Sequence, residues 1–291
     1  MGTTESSARI WTSGWAPGAG VDATFSYHAH DEHGWHCAED PELEYRDADL
    51  GRATSGKVGA RFVRVAPDAE RRHGEWQAHD LDFELLYVQS GSLTIETEDG
   101  QQTLGAGDSC WMPPLHRHRI SDYSPDFEGV ELASPARFER VVGRGAKLPA
   151  RAAELDPQRR PVYTFERPES YAIGAGLRDY LVYRDFGTRA LTDDRVQLHI
   201  IRVSGQQGEA TGWHYHTMSQ WFLVLGGHAE MELEGQPKRR VGPGDVVCVG
   251  SGPSTRHNVG AWSDDWATME MCLPAEYDTI PAEAPDETPD A

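Results

Sequence analysis

Residues 208–227 read GEATGWHYHTMSQWFLVLGG, and this stretch decides how the chain is interpreted. His214 and His216 stand on alternate positions of a predicted strand, and alternate residues of a strand share one face. Both imidazoles are therefore expected to point to the same side. Gln220 follows His216 by four residues, an even step that allows its side chain to reach that face as well.

A third histidine, His257, follows the Gly244-Asp245 turn by a further strand. In an antiparallel barrel, this return strand can lie beside the strand that carries His214 and His216. Three neutral imidazoles can hold a metal from one side and leave positions open for water, substrate or O2. We predict a metal site of these three histidines with Gln220 as a fourth ligand. In the alternative interpretations, Gln220 only hydrogen-bonds a ligand water, or the histidines are core residues.

The chain contains an internal repeat with an offset of 136–139 residues. The sequence YRD at 45–47 recurs at 183–185. Further pairs are Trp76 and Trp213, Gly91 and Gly227, Gly107 and Gly244, and His118 and His257. A nearly constant offset over this span indicates two tandem domains of one fold.

Both copies have the pattern of short β-strands. Apolar and polar residues alternate in two segments of each copy, namely Ala60–Val65, Ser92–Thr97, Gln197–Val203 and His228–Leu233. Such alternation is typical of half-buried strands, and many evenly spaced strands indicate a sandwich or barrel. The predicted fold class is all-β, with two tandem β-barrels joined by a linker.

The repeat also predicts the domain boundaries. We expect an N-terminal arm over 1–40, a barrel over 41–142, a linker over 143–170, a second barrel over 171–276 and an acidic tail over 277–291. The linker is polar and is expected to contain one or two helical turns. The tail is acidic and proline-rich, which favours disorder.

The charge and composition exclude several kinds of partner. A formal net charge of −20 opposes binding to nucleic acids and to anionic membranes. No window approaches the run of about 20 apolar residues that spans a bilayer, and the N-terminus has no secretory pattern. Four widely spaced cysteines are typical of free thiols in a reducing cytoplasm. We expect a cytoplasmic protein, and exposed edge strands favour a homodimer.

The spacing resembles the two motifs of the cupin superfamily, G-x5-H-x-H-x3/4-E-x6-G and G-x5-P-x-G-x2-H-x3-N. The second copy matches the first motif at every fixed position but one, because Gln220 replaces the glutamate. In the second motif, Gly250 stands where proline is usual, and two extra residues precede His257. The resemblance covers roughly residues 45–141 and 183–276. It implies jelly-roll-like barrels in a two-domain cupin, similar to metal-dependent cupin dioxygenases.

The resemblance also implies a ligand set in the first copy. Gln77 and His79 stand where two histidines are usual, and Glu84 and His118 match the remaining motif positions. These four residues are therefore candidate metal ligands, and Glu84 is also a candidate catalytic base. The alternative is a barrel that has lost its metal and serves packing or dimerisation.

Residues 28–37 read HAHDEHGWHC and are rich in histidine. Such a run can form a separate metal site. The other interpretation is a solvated arm, or a flap that lies on a neighbouring domain.

Cupins that this chain resembles include dioxygenases, isomerases, cyclases, decarboxylases and inert binders, so the fold alone does not choose among them. A neutral Gln220 leaves a bound metal effectively dicationic, which favours an anionic or chelating substrate. We predict a non-haem dioxygenase that holds Fe(II), with Zn, Mn, Ni or Co as alternatives. It would act with O2 on a small enolic, phenolic or carboxylate compound. The alternatives are a redox-neutral isomerase, cyclase or lyase with Glu84 as base, and a non-catalytic small-molecule binder.

Overall fold

The computed structural model of the chain describes residues 14–31, 33–37, 42–70, 73–173, 180–204 and 210–285. Gly208 of the first motif and the segments 1–13 and 286–291 lie outside the described residues. The regular structure of the described part is almost all strand, which confirms the predicted all-β class. It divides into two compact units, the first with residues 14–15 and 33–166 and the second with residues 16–31 and 167–285.

Within the described residues, each copy of the repeat supplies twelve strands and one short α-helix in the same order. In the first copy these are β1 (Ser26–His28), β2 (His36–Cys37), β3 (Leu43–Asp47), α1 (Leu50–Ala53), β4 (Gly59–Val65), β5 (Gln77–Asp80), β6 (Phe83–Ser90), β7 (Ser92–Thr97), β8 (Gly100–Gly105), β9 (Ser109–Met112), β10 (His118–Tyr123), β11 (Glu128–Ser134) and β12 (Glu139–Val142).

In the second copy they are β13 (Val162–Thr164), β14 (Ala172–Ile173), β15 (Leu181–Asp185), α2 (Thr188–Leu191), β16 (Gln197–Val203), β17 (His214–His216), β18 (Ser219–Gly226), β19 (Ala229–Leu233), β20 (Arg239–Val241), β21 (Val246–Val249), β22 (His257–Gly260), β23 (Ala267–Leu273) and β24 (Thr279–Pro281). Two 3-10 turns, Ala150–Glu154 and Pro168–Ser170, lie in the predicted linker.

The first unit consists of two antiparallel sheets. The larger has the order β13-β9-β6-β11-β4-β3-β2, and the smaller has the order β12-β5-β10-β7-β8. Leu93, Ile95 and Thr97 are the buried residues of β7, as period-two alternation requires. Leu93 and Ile95 pack in one apolar core with Val63 and Val88 of the larger sheet.

The second unit repeats this arrangement. Its larger sheet has the order β1-β21-β18-β23-β16-β15-β14, and its smaller sheet has the order β20-β19-β22-β17-β24. Met231 and Leu233 of β19 pack with Val224 and Val247 of the larger sheet. Each unit therefore encloses its own core between a seven-stranded and a five-stranded sheet.

In both copies, the backbone leaves room only for glycine at the last position of the first motif. Gly91 and Gly227 have φ angles of 64° and 62°, in the left-handed region that favours glycine. A Cβ at Gly91 would lie 2.7 Å from the backbone nitrogen of Phe127, and one at Gly227 would lie 2.7 Å from that of Trp266. The tight turn into the next strand therefore has no room for a side chain.

The structure differs from the expected boundaries in three places. The arm contributes β1 to the second unit, where it pairs with β21. The linker contributes β13 to the first unit, where it pairs with β9. The segment expected to be a disordered tail contains β24, which pairs with β17. In each case the added strand pairs backbone groups that would otherwise lie at an open sheet edge.

Candidate metal centres

The three histidines of the second unit converge as the spacing predicts. His214 and His216 lie on β17, and His257 begins β22 directly opposite His214 in the antiparallel ladder. The ring centroids of His214 and His257 are 4.4 Å apart, and those of His214 and His216 are 4.9 Å apart. One ligand nitrogen from each of the three side chains lies within 4.8 Å of the other two.

Hydrogen bonds at Nδ1 orient these rings. His214 Nδ1 donates to the carbonyl of Gly212 at 2.7 Å, and His257 Nδ1 donates to that of Thr255 at 3.0 Å. His216 Nδ1 is 2.9 Å from the Thr279 hydroxyl. A neutral imidazole that donates from Nδ1 carries its lone pair on Nε2, and metal-binding histidines use the same pattern of outer hydrogen bonds.

The protonation of these rings also suits a metal. Burial, and after it the charge of the nearby His214, lower the pKa of His257 to about 3. Burial lowers the pKa of His216 to about 4, with His214 again adding to the shift. Both imidazoles are therefore neutral at neutral pH, which is the form that binds a metal ion.

Gln220 lines the same cavity as the three histidines and has an oxygen that could serve as an additional ligand. Its side chain is 3% exposed. Its Nε2 donates to Glu270 Oε1 at 2.7 Å, while its buried Oε1 has no hydrogen-bond partner among the described residues. A buried amide oxygen without a partner is costly. The donor set of three imidazoles and one amide oxygen therefore fits a divalent transition metal.

Sequence reasoning missed four residues around this centre. Glu270 and His199 lie on β23 and β16, and His199 Nε2 is 2.6 Å from Glu270 Oε2. Thr279 holds His216, and the ring of Tyr277 lies 5.5 Å from that of His216. The repeat carries one signal for the first pair, because Glu270 occupies the same repeat position as Glu131.

The centre opens into a cavity of about 570 Å³. Its walls include the aromatic side chains of Phe222, Trp262 and Trp266, and none of the described residues that line it is lysine or arginine. Such a cavity favours planar, apolar ligands over ligands with several negative groups.

The first unit brings together three of its four candidate ligands. One ligand atom from each of His79, Glu84 and His118 lies within 4.8 Å of the others. His79 Nδ1 is 2.8 Å from Glu84 Oε1, and His118 Nδ1 donates to the carbonyl of His116 at 2.9 Å. Gln77 is half-buried, lines the same cavity and lies opposite His118 in the ladder, but it is outside this three-residue group.

Charged groups dominate the surroundings of this first centre. Burial lowers the pKa of His118 to about 4, with a further contribution from His79. Burial also acts to lower the pKa of His79, but the Glu84 carboxylate outweighs it and raises that pKa. Behind Glu84, Arg61 makes two bonds to Glu131, at 2.7 Å and 3.0 Å. The cavity here measures about 380 Å³, and Arg140 is among the residues that line it.

The histidine-rich segment has another role in the structure. His28 lies in β1, and the backbone nitrogen of His30 donates to Asp245 Oδ1 at 2.7 Å. In the described ranges, no group of three close ligand atoms includes a histidine from residues 28–36. The start of the segment therefore belongs to the second unit and its end, β2, to the first, and the hypothesis of a separate metal site there gains no support.

The Cupin domain family matches the chain twice, at residues 61–125 and 202–273, once in each unit. Among solved structures, oxalate decarboxylase from Lactobacillus farciminis has a TM-score of 0.59 at 13% identity, with 88% of each chain covered. Salicylate 1,2-dioxygenase from Pseudoaminobacter salicylatoxidans has a TM-score of 0.57 at 11% identity, covering 77% of this chain and 74% of that one. Vicilin from hazelnut, Corylus avellana, has a TM-score of 0.58 at 13% identity, covering 88% and 87%.

These comparisons confirm the resemblance seen in the motifs: the chain is a bicupin, a protein with two cupin domains. At such low identities the solved structures show the fold only. They include enzymes as well as vicilin, so they do not select a reaction. No curated protein sequence matches the chain. In the part of the chain that is described, no helix has the length and apolarity needed to cross a membrane.

Proposed function

We propose that this bicupin is a metal-dependent enzyme, a non-haem dioxygenase whose active centre lies in the second barrel. The observation that supports it most is the convergence of His214, His216 and His257 on one point, with the Nδ1 atom of each ring engaged in an outer hydrogen bond. Fe(II) is the proposed metal. When bound, it would supply a Lewis-acidic centre with open positions for substrate and O2.

The side chains around the centre suggest the class of substrate. Without lysine or arginine among the described lining residues, a substrate would be held by the metal and by the aromatic walls. A small enolic, phenolic or carboxylate compound with a planar body fits both requirements, because one anionic oxygen can bind the metal while the ring packs on Phe222 or Trp262. The barrel walls would keep bulk water from the reacting atoms.

A second candidate function concerns the first barrel. The set of two histidines and Glu84 resembles the ligand types that hold many divalent metals, and Arg140 lines the cavity beside it. This arrangement favours redox-neutral chemistry on a carboxylate or carbonyl compound, with the metal polarising the oxygen and Glu84 as the candidate base.

The proposed function is tested by metal analysis and oxygen uptake. Protein purified without added metal should contain iron, and it should consume O2 with a panel of catechols, hydroxybenzoates and enolic diketones. His214→Ala should abolish both iron binding in the second barrel and O2 uptake, whereas the matched variant His79→Ala should retain uptake. Uptake that survives His214→Ala but not His79→Ala would assign the activity to the first barrel and contradict the proposal.

A further inference from the structure

The two barrels have different residues at equivalent positions behind the candidate metal ligands. In the second barrel, Phe222, Glu270 and His199 lie side by side on three neighbouring strands, β18, β23 and β16. Gln220 is two residues before Phe222 and so shares its face. The Glu270 carboxylate accepts two hydrogen bonds, one from the Gln220 amide and one from Nε2 of His199.

The three equivalent positions of the first barrel carry partly different side chains. Leu86, Glu131 and Arg61 are the neighbours in register there, and Glu84 lies two residues before Leu86. Glu131 accepts two hydrogen bonds from Arg61. The acid at the middle position is therefore present in both barrels. The polar residues beside it differ: they are Glu84 and Arg61 in the first barrel and Gln220 and His199 in the second.

The two changes compensate each other in charge and in hydrogen bonding. Gln220 in place of a carboxylate removes a negative charge, and His199 in place of a guanidinium removes a permanent positive one. An amide supplies an N–H donor to the buried Glu270 carboxylate, which an ionised glutamate in its place could not do. Glu270 can accept bonds but not donate them when ionised, so it selects the amide orientation that turns Gln220 Oε1 away from it.

We propose that Glu270 is a positioning residue, which His199 holds in place and which fixes the Gln220 amide with its oxygen directed toward the three histidines. The second barrel thus has a neutral, oriented ligand, Gln220, where the first barrel has the charged Glu84. Its carboxylate, Glu270, lies behind that ligand and bonds its amide. This inference rests on the proposed metal centre of the second barrel. Its support is the buried Oε1 of Gln220, which has no hydrogen-bond partner among the described residues.

The test measures metal affinity directly and needs no substrate. Co(II) is titrated into full-length protein in a His118→Ala background, which weakens the first centre, with a chromophoric chelator as competitor. Glu270→Leu removes the acceptor at similar size, and we expect the affinity to fall by about 10–100-fold, as is typical when an outer hydrogen-bonding partner of a metal ligand is lost. Gln220→Ala should lose a similar factor, and the double variant should lose no more than either single one.

Two further measurements separate positioning from a structural role. Glu270→Gln keeps an acceptor for the Gln220 amide and should lose clearly less affinity than Glu270→Leu. The visible absorption of bound Co(II), which depends on coordination number and geometry, should change in Gln220→Ala and Glu270→Leu alike and remain in Glu270→Gln. If Glu270→Leu does not fold, as judged by melting in EDTA, then Gln220→Ala and Glu270→Gln still decide the question.

The controls keep this inference distinct from the proposed function. Glu131→Gln, at the same repeat position in the first barrel, should leave the Co(II) affinity of the second barrel unchanged. If His214→Ala does not weaken binding, the proposed metal centre itself is wrong. If His214→Ala abolishes binding but Gln220→Ala and Glu270→Leu leave affinity and spectrum intact, only the positioning role is overturned.

A third cluster of buried ligand atoms calls for one more control. His199, Glu270 and Cys272 each place a ligand atom within 4.8 Å of the other two. Cys272→Ala should not alter Co(II) affinity, because the hydrogen bonds of Glu270 to Gln220 and His199 do not involve the thiol. A loss in Cys272→Ala as large as that in Glu270→Leu would assign the ion to this group and overturn the positioning role.

Discussion

The hydroxyl of Thr279 lies 2.9 Å from Nδ1 of His216, although the two residues are 63 positions apart. Strand β24 brings them together, because Thr279 is the direct ladder partner of His216 on β17. The segment that follows the last core strand of the second barrel therefore helps to orient a candidate metal ligand.

Thr279→Val tests this contact. Valine keeps the shape of threonine but cannot bond the imidazole, so we expect the metal affinity of the second barrel to fall by about tenfold. Thr279→Ser, which keeps the hydroxyl, should bind as wild type. Chelator competition with Co(II) measures both. Equal affinities for the valine and serine variants would mean that the hydroxyl does not orient His216.

Gly227→Ala should destabilise the second unit more than a comparable glycine substitution. Alanine in the left-handed region costs about 1–2 kcal/mol, and at Gly227 the new Cβ would also lie 2.7 Å from the Trp266 backbone nitrogen. Gly235 has a similar φ of 71° with nothing within 4 Å, so Gly235→Ala isolates the conformational cost. Urea unfolding should give the larger loss for Gly227→Ala, and equal losses would contradict the steric explanation.

Removal of Arg61 should strongly destabilise the first unit. Arg61→Met leaves the Glu131 carboxylate buried without its ion-pair partner, and breaking a buried pair on one side costs about 3–5 kcal/mol. Lys238→Met is the control, because its pair with Glu230 is solvent-exposed and a surface pair of this kind contributes little to stability. The free energies of unfolding in urea, measured with EDTA present, give the comparison. Similar losses in the two variants would refute the prediction.

The same ion pair should make stability depend on pH. Burial acts to raise the pKa of Glu131, but the charge and hydrogen bonds of Arg61 outweigh it and lower that pKa to about 2. In the unfolded chain, a glutamate has a pKa of about 4.3. The contribution to stability is therefore present above about pH 4.3 and is lost as the pH falls toward about 2. Urea unfolding across this range should show a smaller acid-induced loss in Arg61→Met than in wild type.

The four cysteines should differ in reactivity. Cys37 is exposed, whereas Cys110, Cys248 and Cys272 are buried. Burial also raises the pKa of Cys110, which disfavours the reactive thiolate. Ellman's reagent should therefore label one thiol quickly in the native protein and all four after denaturation. Cys37→Ser should remove the fast phase, and a fast phase that survives would show that a buried thiol is accessible.

The repeat and the histidine spacing predicted the class of fold and the meeting of three imidazoles. Both depend on local periodicity, because alternate residues of one strand share a face. The pairing of His214 with His257 also followed from the antiparallel return strand that the motif order implies.

The outer residues of the centre depend on non-local pairing and could not be predicted from spacing. Glu270 and His199 are 50 and 21 residues from Gln220 in the chain and meet it only through the register of β18, β23 and β16. The boundaries were missed for the same reason. Nothing in the local pattern of Ser26–His28 or Val162–Thr164 indicates which sheet each short strand joins.

The positions of β1 and β13 constrain how the duplicated chain can be divided. A fragment that starts at residue 167 would lack β1 and leave Val246–Val249 as an open edge, and a fragment that ends at residue 142 would do the same to Ser109–Met112. Open edges invite aggregation. A cut at the repeat boundary therefore removes an outer strand from each unit, because that strand comes from sequence that belongs to the other copy.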